Sequence, residues 1–357
     1  MAYSWTSLGL QIFHYQCQFK HALVGHINLF CFFLSSHMRI SRHGRPHLRM
    51  HEPFSLLVSV YDGDRPDHLR RAIQSAVGDQ TVRPDQLVIV QDGPVRDELA
   101  RCLEEIQRAS PVPVTFDPLP HNRGLGPALD QGLAASWFDV IARMDADDVA
   151  MPHRFEVELP LIADADIVGG GLYEFVEDTD DIVGQRVPPT DPGQIQRYAR
   201  MHDPFNHPTV VYRRAAVLAA GGYGDLPLME DYALFARMLQ DGARAVNVAE
   251  PLVYYRVGAK AFKRRGGGGL LRSELRLQRE FRRRGFTSRP EYVRNVVVRG
   301  GYRLIPWWLR RAVYRPLVAL YSRRPGNAPA PAARPDPPEW EYEASSAAAS
   351  WRDSAGS

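Results

Sequence analysis

Three carboxylates, Asp145, Asp147 and Asp148, follow directly on the apolar run 140–144. Two carboxylates one residue apart in a loop can hold a hard divalent cation such as Mn2+ or Mg2+, directly or through water, and that cation can hold a diphosphate. The competing reading is an acidic turn capping a helix that Met151 and Pro152 would open, with Asp148 as a helix-start residue. Placement behind a buried strand favours the metal. Two further carboxylates close apolar runs: Asp62 after Ser59, Val60 and Tyr61, and Asp92 between Gln91 and Gly93. A carboxylate at a strand end can accept hydrogen bonds from a base or ribose, while Asp-Gly-Pro is also an ordinary turn sequence. The loop 121–126 carries Arg123 and two glycines before a helical stretch, so its N–H groups could face a diphosphate. Glu230 and Asp231 precede an apolar helical run, where a carboxylate can take a proton from a hydroxyl or simply cap the helix.

Placing these side chains together requires a scaffold, and from Phe54 onward the chain has its pattern. Strands are expected over 55–61, 87–90, 112–116 and 140–144, with helices over 67–77, 95–108 and 125–135 between them. Such alternation implies a parallel sheet covered by helices on both faces, with ligands beyond the carboxyl ends of the strands. The second half is less regular. Short strands are expected at 167–168, 209–212 and 252–255 and helices at 215–220 and 232–239. Residues 266–269 form a glycine break, followed by a basic helix over 270–284.

The chain has 357 residues, 45% hydrophobic and 24% charged, enough for a sizeable core. Its three cysteines, Cys17, Cys31 and Cys102, lack the spacing of a disulfide framework or zinc site, which fits a reducing compartment. Residues 256–324 contain 20 Lys and Arg against 3 Asp and Glu, a net of +17; the overall +3 leaves 3 − 17 = −14 for the remainder. That field favours anionic partners. The apolar stretch 22–34 is short for a membrane span and carries His26 and Asn28. Residues 1–49 read as an extension or loosely attached arm, with a working start at Met38 or Met50.

The order of the motifs is more informative than any one of them. Ser59 to Asp62, Gln91-Asp92-Gly93, Asn122-Arg123-Gly124, Asp145-Ala146-Asp147, His207-Pro208-Thr209 and Glu230-Asp231 together resemble glycosyltransferase family 2 over about residues 54–256, and bacterial exopolysaccharide and surface-polysaccharide enzymes in particular. The resemblance implies a GT-A fold, an α/β architecture with a central, mostly parallel sheet, and an inverting transfer from a nucleotide-sugar donor, with UDP the commonest nucleotide. It implies that Ser59, Tyr61, Asp92, Arg123 and Asp145 border the nucleotide, that Asp147 with Asp145 meets a divalent metal, and that Asp231, beside Glu230, is the catalytic base. His207 falls in the cleft, where a buried structural role is equally compatible. The chain departs from the family with Gln91 in place of a first aspartate and with Asp130 where relatives carry asparagine.

The implied organisation is an extension over 1–52, a catalytic domain over 53–258 divided near 150, a basic helical region over 259–324 and a disordered tail over 325–357. Within 308–321 the residues Trp308, Leu309, Ala312, Val313, Leu317, Leu320 and Tyr321 form an apolar stripe flanked by arginines. This suits either packing on the catalytic domain or a peripheral contact at the inner face of the cytoplasmic membrane, where a lipid-linked or saccharide acceptor would wait. Nucleic acid is not expected, because no recognised binding motif accompanies the arginines. The other readings are a nucleotidyltransferase, which would normally carry a glycine-rich basic loop after the first strand, and an inactive membrane-associated scaffold of the same fold.

Overall fold

The computed structural model describes residues 51–257 and 268–304. The expectations for residues 1–49, the stripe within 308–321 and the tail from 325 lie outside them.

Four apolar segments dominate the first half: β1 (Phe54–Val60), β2 (Gln86–Gln91), β3 (Val114–Pro118) and β4 (Val140–Met144). They pair in parallel in the order β3-β2-β1-β4. The crossovers are α1 (Pro66–Ile73), α2 (Asp97–Ala109) and α3 (Leu125–Ala135). Both faces of β1 and β2 are buried, as continuous rather than alternating apolar runs require. Leu57, Val88 and Val90 face one core with Leu129 and Leu133 of α3. Leu56, Val58, Leu87 and Ile89 face the other with Leu69 of α1 and Leu99 and Leu103 of α2. Each such leucine contributes roughly 1.5–3 kcal/mol by leaving water.

The chain continues through β5 (Val149–Ala150), α4 (Arg154–Ile162), β6 (Ile167–Phe175), β7 (Ile182–Arg186), α5 (Pro192–Ala199), β8 (Val211–Arg213), α6 (Arg214–Ala219), α7 (Glu230–Gln240) and β9 (Ala245–Arg256). The sheet extends past β4 as β8-β6-β9-β5, with β7 on β6. There β4–β8, β8–β6 and β5–β9 are antiparallel and β6–β9 parallel. Beyond the break come α8 (Gly268–Arg284), α9 (Arg289–Asn295) and α10 (Gly301–Leu304).

Several expectations are corrected. The helix over 67–77 is present, α-helical to Ile73 and continued by a π-helical turn over Gln74–Gly78. Strand β6 runs nine residues rather than two. Gly169, Gly170 and Gly171 lie beyond the expected end at Val168 and serve close approach: a Cβ on Gly171 would lie 2.7 Å from the Ala249 carbonyl oxygen on β9. Strand β9 is likewise three times the expected length, because Glu250 and Pro251 obscure its alternation where the register shifts. Asp148 is not a helix-start residue. It is fully buried beside β5, whose Val149 and Ala150 pair with Tyr254 and Val253, and the next helix begins only at Arg154.

Candidate active site

The carboxyl ends of β1, β2 and β4 lie at one edge of the sheet, and most of the singled-out residues gather there. At the end of β1, Ser59 is half-buried and Tyr61 exposed, with the Tyr61 N–H donating to Asp64 Oδ2 at 2.9 Å. Asp62 is engaged elsewhere, accepting from the Arg96 N–H at 2.8 Å. At the end of β2, buried Asp92 accepts from the backbone N–H groups of Arg123 at 2.6 Å and Gly124 at 2.9 Å. This carboxylate ties the loop opening α3 to the sheet. Gly93 makes the tie possible: its φ is 86°, and a Cβ there would meet the Asn122 nitrogen at 2.5 Å. The Arg123 side chain remains exposed at the rim.

The turn after β4 is held by two arginines that the motif reading passed over. Arg143, inside β4, is buried and forms an ion pair with Asp145. Its Nε and Nη1 make no hydrogen bond within the described protein. Arg256, at the end of β9, donates from Nε to the Asp147 carbonyl at 3.0 Å and from its backbone N–H to Asp148 Oδ1 at 2.9 Å, with its guanidinium over the Phe175 ring. Burial, with the charges of Asp145 and Asp147 beside it, pushes the Asp148 carboxyl well above its usual range. Arg143 left no signal beyond a charge inside an apolar strand. Arg256 stands 109 residues from Asp147 in sequence, beyond any local pattern.

Across this edge stands the start of α7. Glu230 is buried, and desolvation, then the charge of Asp231, pushes its carboxyl up to about 7. Burial also raises Asp231; the Tyr232 N–H and Arg143 oppose this, while Asp145 adds to it. These Coulombic influences place Asp145, Arg143, Glu230 and Asp231 within one electrostatic neighbourhood. The fit is close: a Cβ on Gly126 of α3 would lie 3.3 Å from Glu230 Cβ and 2.3 Å from the Gly224 carbonyl oxygen.

His207 lies behind Asp231, with Nδ1 at 3.6 Å from Asp231 Oδ2 and Nε2 at 3.0 Å from the Tyr223 hydroxyl, which reaches the Tyr212 hydroxyl at 3.2 Å. Burial, reinforced by Arg143, drives the His207 imidazole well below its ordinary value, so it is neutral at physiological pH. With its proton on Nδ1, the ring would donate toward Asp231. Asp130 has a defined place in this arrangement: its oxygens accept from the N–H groups of Tyr223 at 2.7 Å and Gly224 at 3.0 Å. It fixes the loop that carries Tyr223. Asp203, another carboxylate the motif reading missed, is raised by burial and by the charge of Asp231.

Among the described residues no group of three His, Cys, Asp or Glu side chains is arranged to hold a metal ion. Asp145 and Asp147 supply hard oxygen donors from one turn, which fits a cation held by one or two carboxylates with water and substrate phosphate completing its shell.

A mixed sheet, parallel over β3-β2-β1-β4 and not mostly parallel as a whole, with an acidic strand-end turn and a carboxylate-led helix, defines the class: the GT-A fold of nucleotide-sugar transferases. The glycosyl transferase family 2 model matches residues 55–221. An uncharacterized glycosyltransferase of Haemophilus influenzae is 36% identical over 265 residues, covering 73% of this chain and 97% of the relative. A UDP-Gal:alpha-D-GlcNAc-diphosphoundecaprenol beta-1,3-galactosyltransferase of Escherichia coli is 33% identical over 75% of this chain and 97% of its own. The amylovoran biosynthesis glycosyltransferase AmsE of Erwinia amylovora is 34% identical over 63% and 84%. In fold, the chain is similar to S. aureus TarS, with TM-score 0.52 at 14% identity over 69% of this chain and 44% of that one. The UDP complex of TarS residues 1–349 gives 0.50 at 16%, over 64% and 65%. The chain belongs to glycosyltransferase family 2. It is a glycosyltransferase whose relatives work in bacterial polysaccharide biosynthesis.

Proposed function

We propose that this protein transfers a sugar from a nucleotide-sugar donor, with UDP as the nucleotide, to a hydroxyl of a saccharide carried on a lipid diphosphate, inverting the anomeric centre, in the assembly of a cell-surface polysaccharide. The observation that carries this reading is the convergence of Asp145 and the Glu230-Asp231 pair around the buried Arg143 guanidinium at the ligand-binding edge of the sheet. The names of the relatives support the donor and acceptor classes: the E. coli enzyme uses UDP-Gal and a diphosphoundecaprenol-linked sugar, and TarS binds UDP and UDP-GlcNAc.

In this reading the nucleoside lies across the ends of β1 and β2, beside Ser59, Tyr61 and Asp92, with Arg123 at the rim. Asp145 and Asp147 would hold a divalent cation, Mn2+ or Mg2+, and that ion would supply charge neutralisation for a diphosphate. Asp231 removes the proton of the acceptor hydroxyl as that oxygen bonds to the anomeric carbon from the face opposite the diphosphate, which leaves with the bonding electron pair. Desolvation makes Asp231 a stronger base than a carboxylate in water, a rise that the Tyr232 N–H and then Arg143 oppose. The charge of Asp231 in turn helps to raise the carboxyl of Glu230 beside it. His207 orients Asp231 from behind.

The basic C-terminal region would hold the enzyme against anionic lipid at the inner face of the cytoplasmic membrane. No helix among the described residues is long and apolar enough to cross a membrane.

The test is donor turnover across a panel of nucleotide sugars with Mn2+ or Mg2+, with Asp147→Ala and Asp231→Asn run in parallel. Both variants are expected to lose transfer, and Asp147→Ala also metal-dependent nucleotide binding. Full activity in either would overturn the assignment.

A further inference from the structure

A second concave site lies on the acceptor side, away from the strand ends. It has a volume of about 390 Å³ and is lined by Arg197 and Tyr198 of α5, Arg200, His202, and Arg294 of α9, with Glu291 as its one carboxylate. Most of these side chains are exposed, so the guanidinium groups are available from solvent.

The charge in this pocket is uncompensated. Glu291 is committed: its Oε2 accepts from the N–H and hydroxyl of Ser288 in a capping box, and its Oε1 lies 3.3 Å from Arg200 Nη1. Those contacts hold it ionised, its carboxyl lowered to about 2. Arg294 donates only to the Asn295 amide oxygen, at 3.2 and 3.0 Å. Arg197 has no carboxylate within ion-pair distance among the described residues. Three guanidinium charges against one carboxylate leave +2, the complement of a diphosphate diester. Guanidinium forks match phosphate oxygens two at a time.

The surroundings suit an amphiphile carrying such a group. On the wall, Tyr198 stacks on His202 with ring centroids 4.6 Å apart and planes at 23°, a flat surface for a sugar ring. The Tyr232 hydroxyl, one residue after the proposed base, donates at 2.7 Å to the carbonyl of Ala199, between Tyr198 and Arg200, so the wall lies against the start of α7. On the other flank, the segment that supplies Arg294 turns Val293, Val297 and Val298 to solvent, each more than half exposed. An apolar strip beside a phosphate-sized cationic pocket fits a lipid tail leaving the site.

We infer that the pocket formed by Arg197, Arg200 and Arg294 binds the diphosphate of a lipid-linked acceptor, setting the distance at which the acceptor sugar reaches Asp231. This inference rests on the transferase reading and names its acceptor subsite.

The probe is farnesyl diphosphate, titrated into the full chain with excess UDP and Mn2+ filling the donor site, and followed by calorimetry. Wild type is expected to bind it, and Arg197→Gln and Arg294→Gln each to bind roughly tenfold or more weakly, the scale of one lost charge-assisted hydrogen bond, with UDP affinity unchanged. Equal affinity in wild type and both variants, or no binding by wild type, would overturn the pocket. Phosphatidylglycerol vesicles without diphosphate form the second arm. Variants that lose vesicle binding while keeping farnesyl diphosphate would make the arginines a headgroup contact and sink the inference. Diphosphate binding through these arginines in a protein that turns over no nucleotide sugar would fault the transferase reading alone.

Discussion

Asp231 and Glu230 occupy the first turn of α7 with their carboxyls raised, and that has consequences in two directions. For the reaction, a base must be ionised, so transfer rises with pH through the Asp231 value, which lies above the ordinary carboxylate range. For stability, the sign follows from the raised value. Glu230 ionises near 4.5 when unfolded and near 7 when folded, so the folded state is favoured at low pH and loses that contribution as pH rises from about 4.5 to about 7. The loss is on the order of 3 kcal/mol at full extent. Urea unfolding of Glu230→Gln against wild type at pH 4.5 and pH 8 should show the variant gaining relative stability at the higher pH; a constant difference would refute the buried carboxylate. The same scale shows what sequence could reveal of the site. Asp145, Asp147, Asp92 and Asp231 stand in recognisable short motifs. Arg143 and Arg256, which hold the acidic turn, are a single charge in an apolar strand and a residue distant in the chain.

Elements decide how firmly the two walls of the cleft meet. Asp130 of α3 receives two backbone N–H groups from the turn carrying Tyr223. An amide in its place would accept one and confront the other with its own N–H donors. Asp130→Asn should therefore cost about 1–3 kcal/mol in chemical denaturation, and it should lower kcat through His207 and Asp231 more than it raises the donor KM. Leu228, two residues before α7, has φ 66° and is more than half exposed. A branched side chain in that conformation is strained. Leu228→Gly should be neutral or stabilising by up to about 1 kcal/mol in thermal unfolding, since little packing is lost; marked destabilisation would show that the side chain is packed after all. The parallel half of the sheet was legible in sequence because doubly buried strands read as apolar runs. The mixed half was not, because β6 carries three glycines where β9 approaches and β9 carries a proline at a register shift.

At the scale of the molecule, charge is segregated, with the excess of arginine gathered after β9. Long-range attraction of that kind is screened within about 10 Å at 0.1 M salt. Co-sedimentation of the full chain with phosphatidylglycerol vesicles should fall steeply between low salt and 0.5 M, while binding independent of salt would point to apolar insertion instead. In the proposed arrangement the parallel edge takes the donor, α7 carries the base, and α5 with α9 frame the arginine pocket for the acceptor diphosphate. The measurement that bears most directly on this arrangement is nucleoside diphosphate release from a panel of UDP-sugars, in the presence of a diphosphate-linked acceptor, by wild type with Mn2+, by wild type with EDTA and by Asp231→Asn. Acceptor-dependent release by wild type with Mn2+ alone is the predicted result. Undiminished release in EDTA or from Asp231→Asn would contradict it.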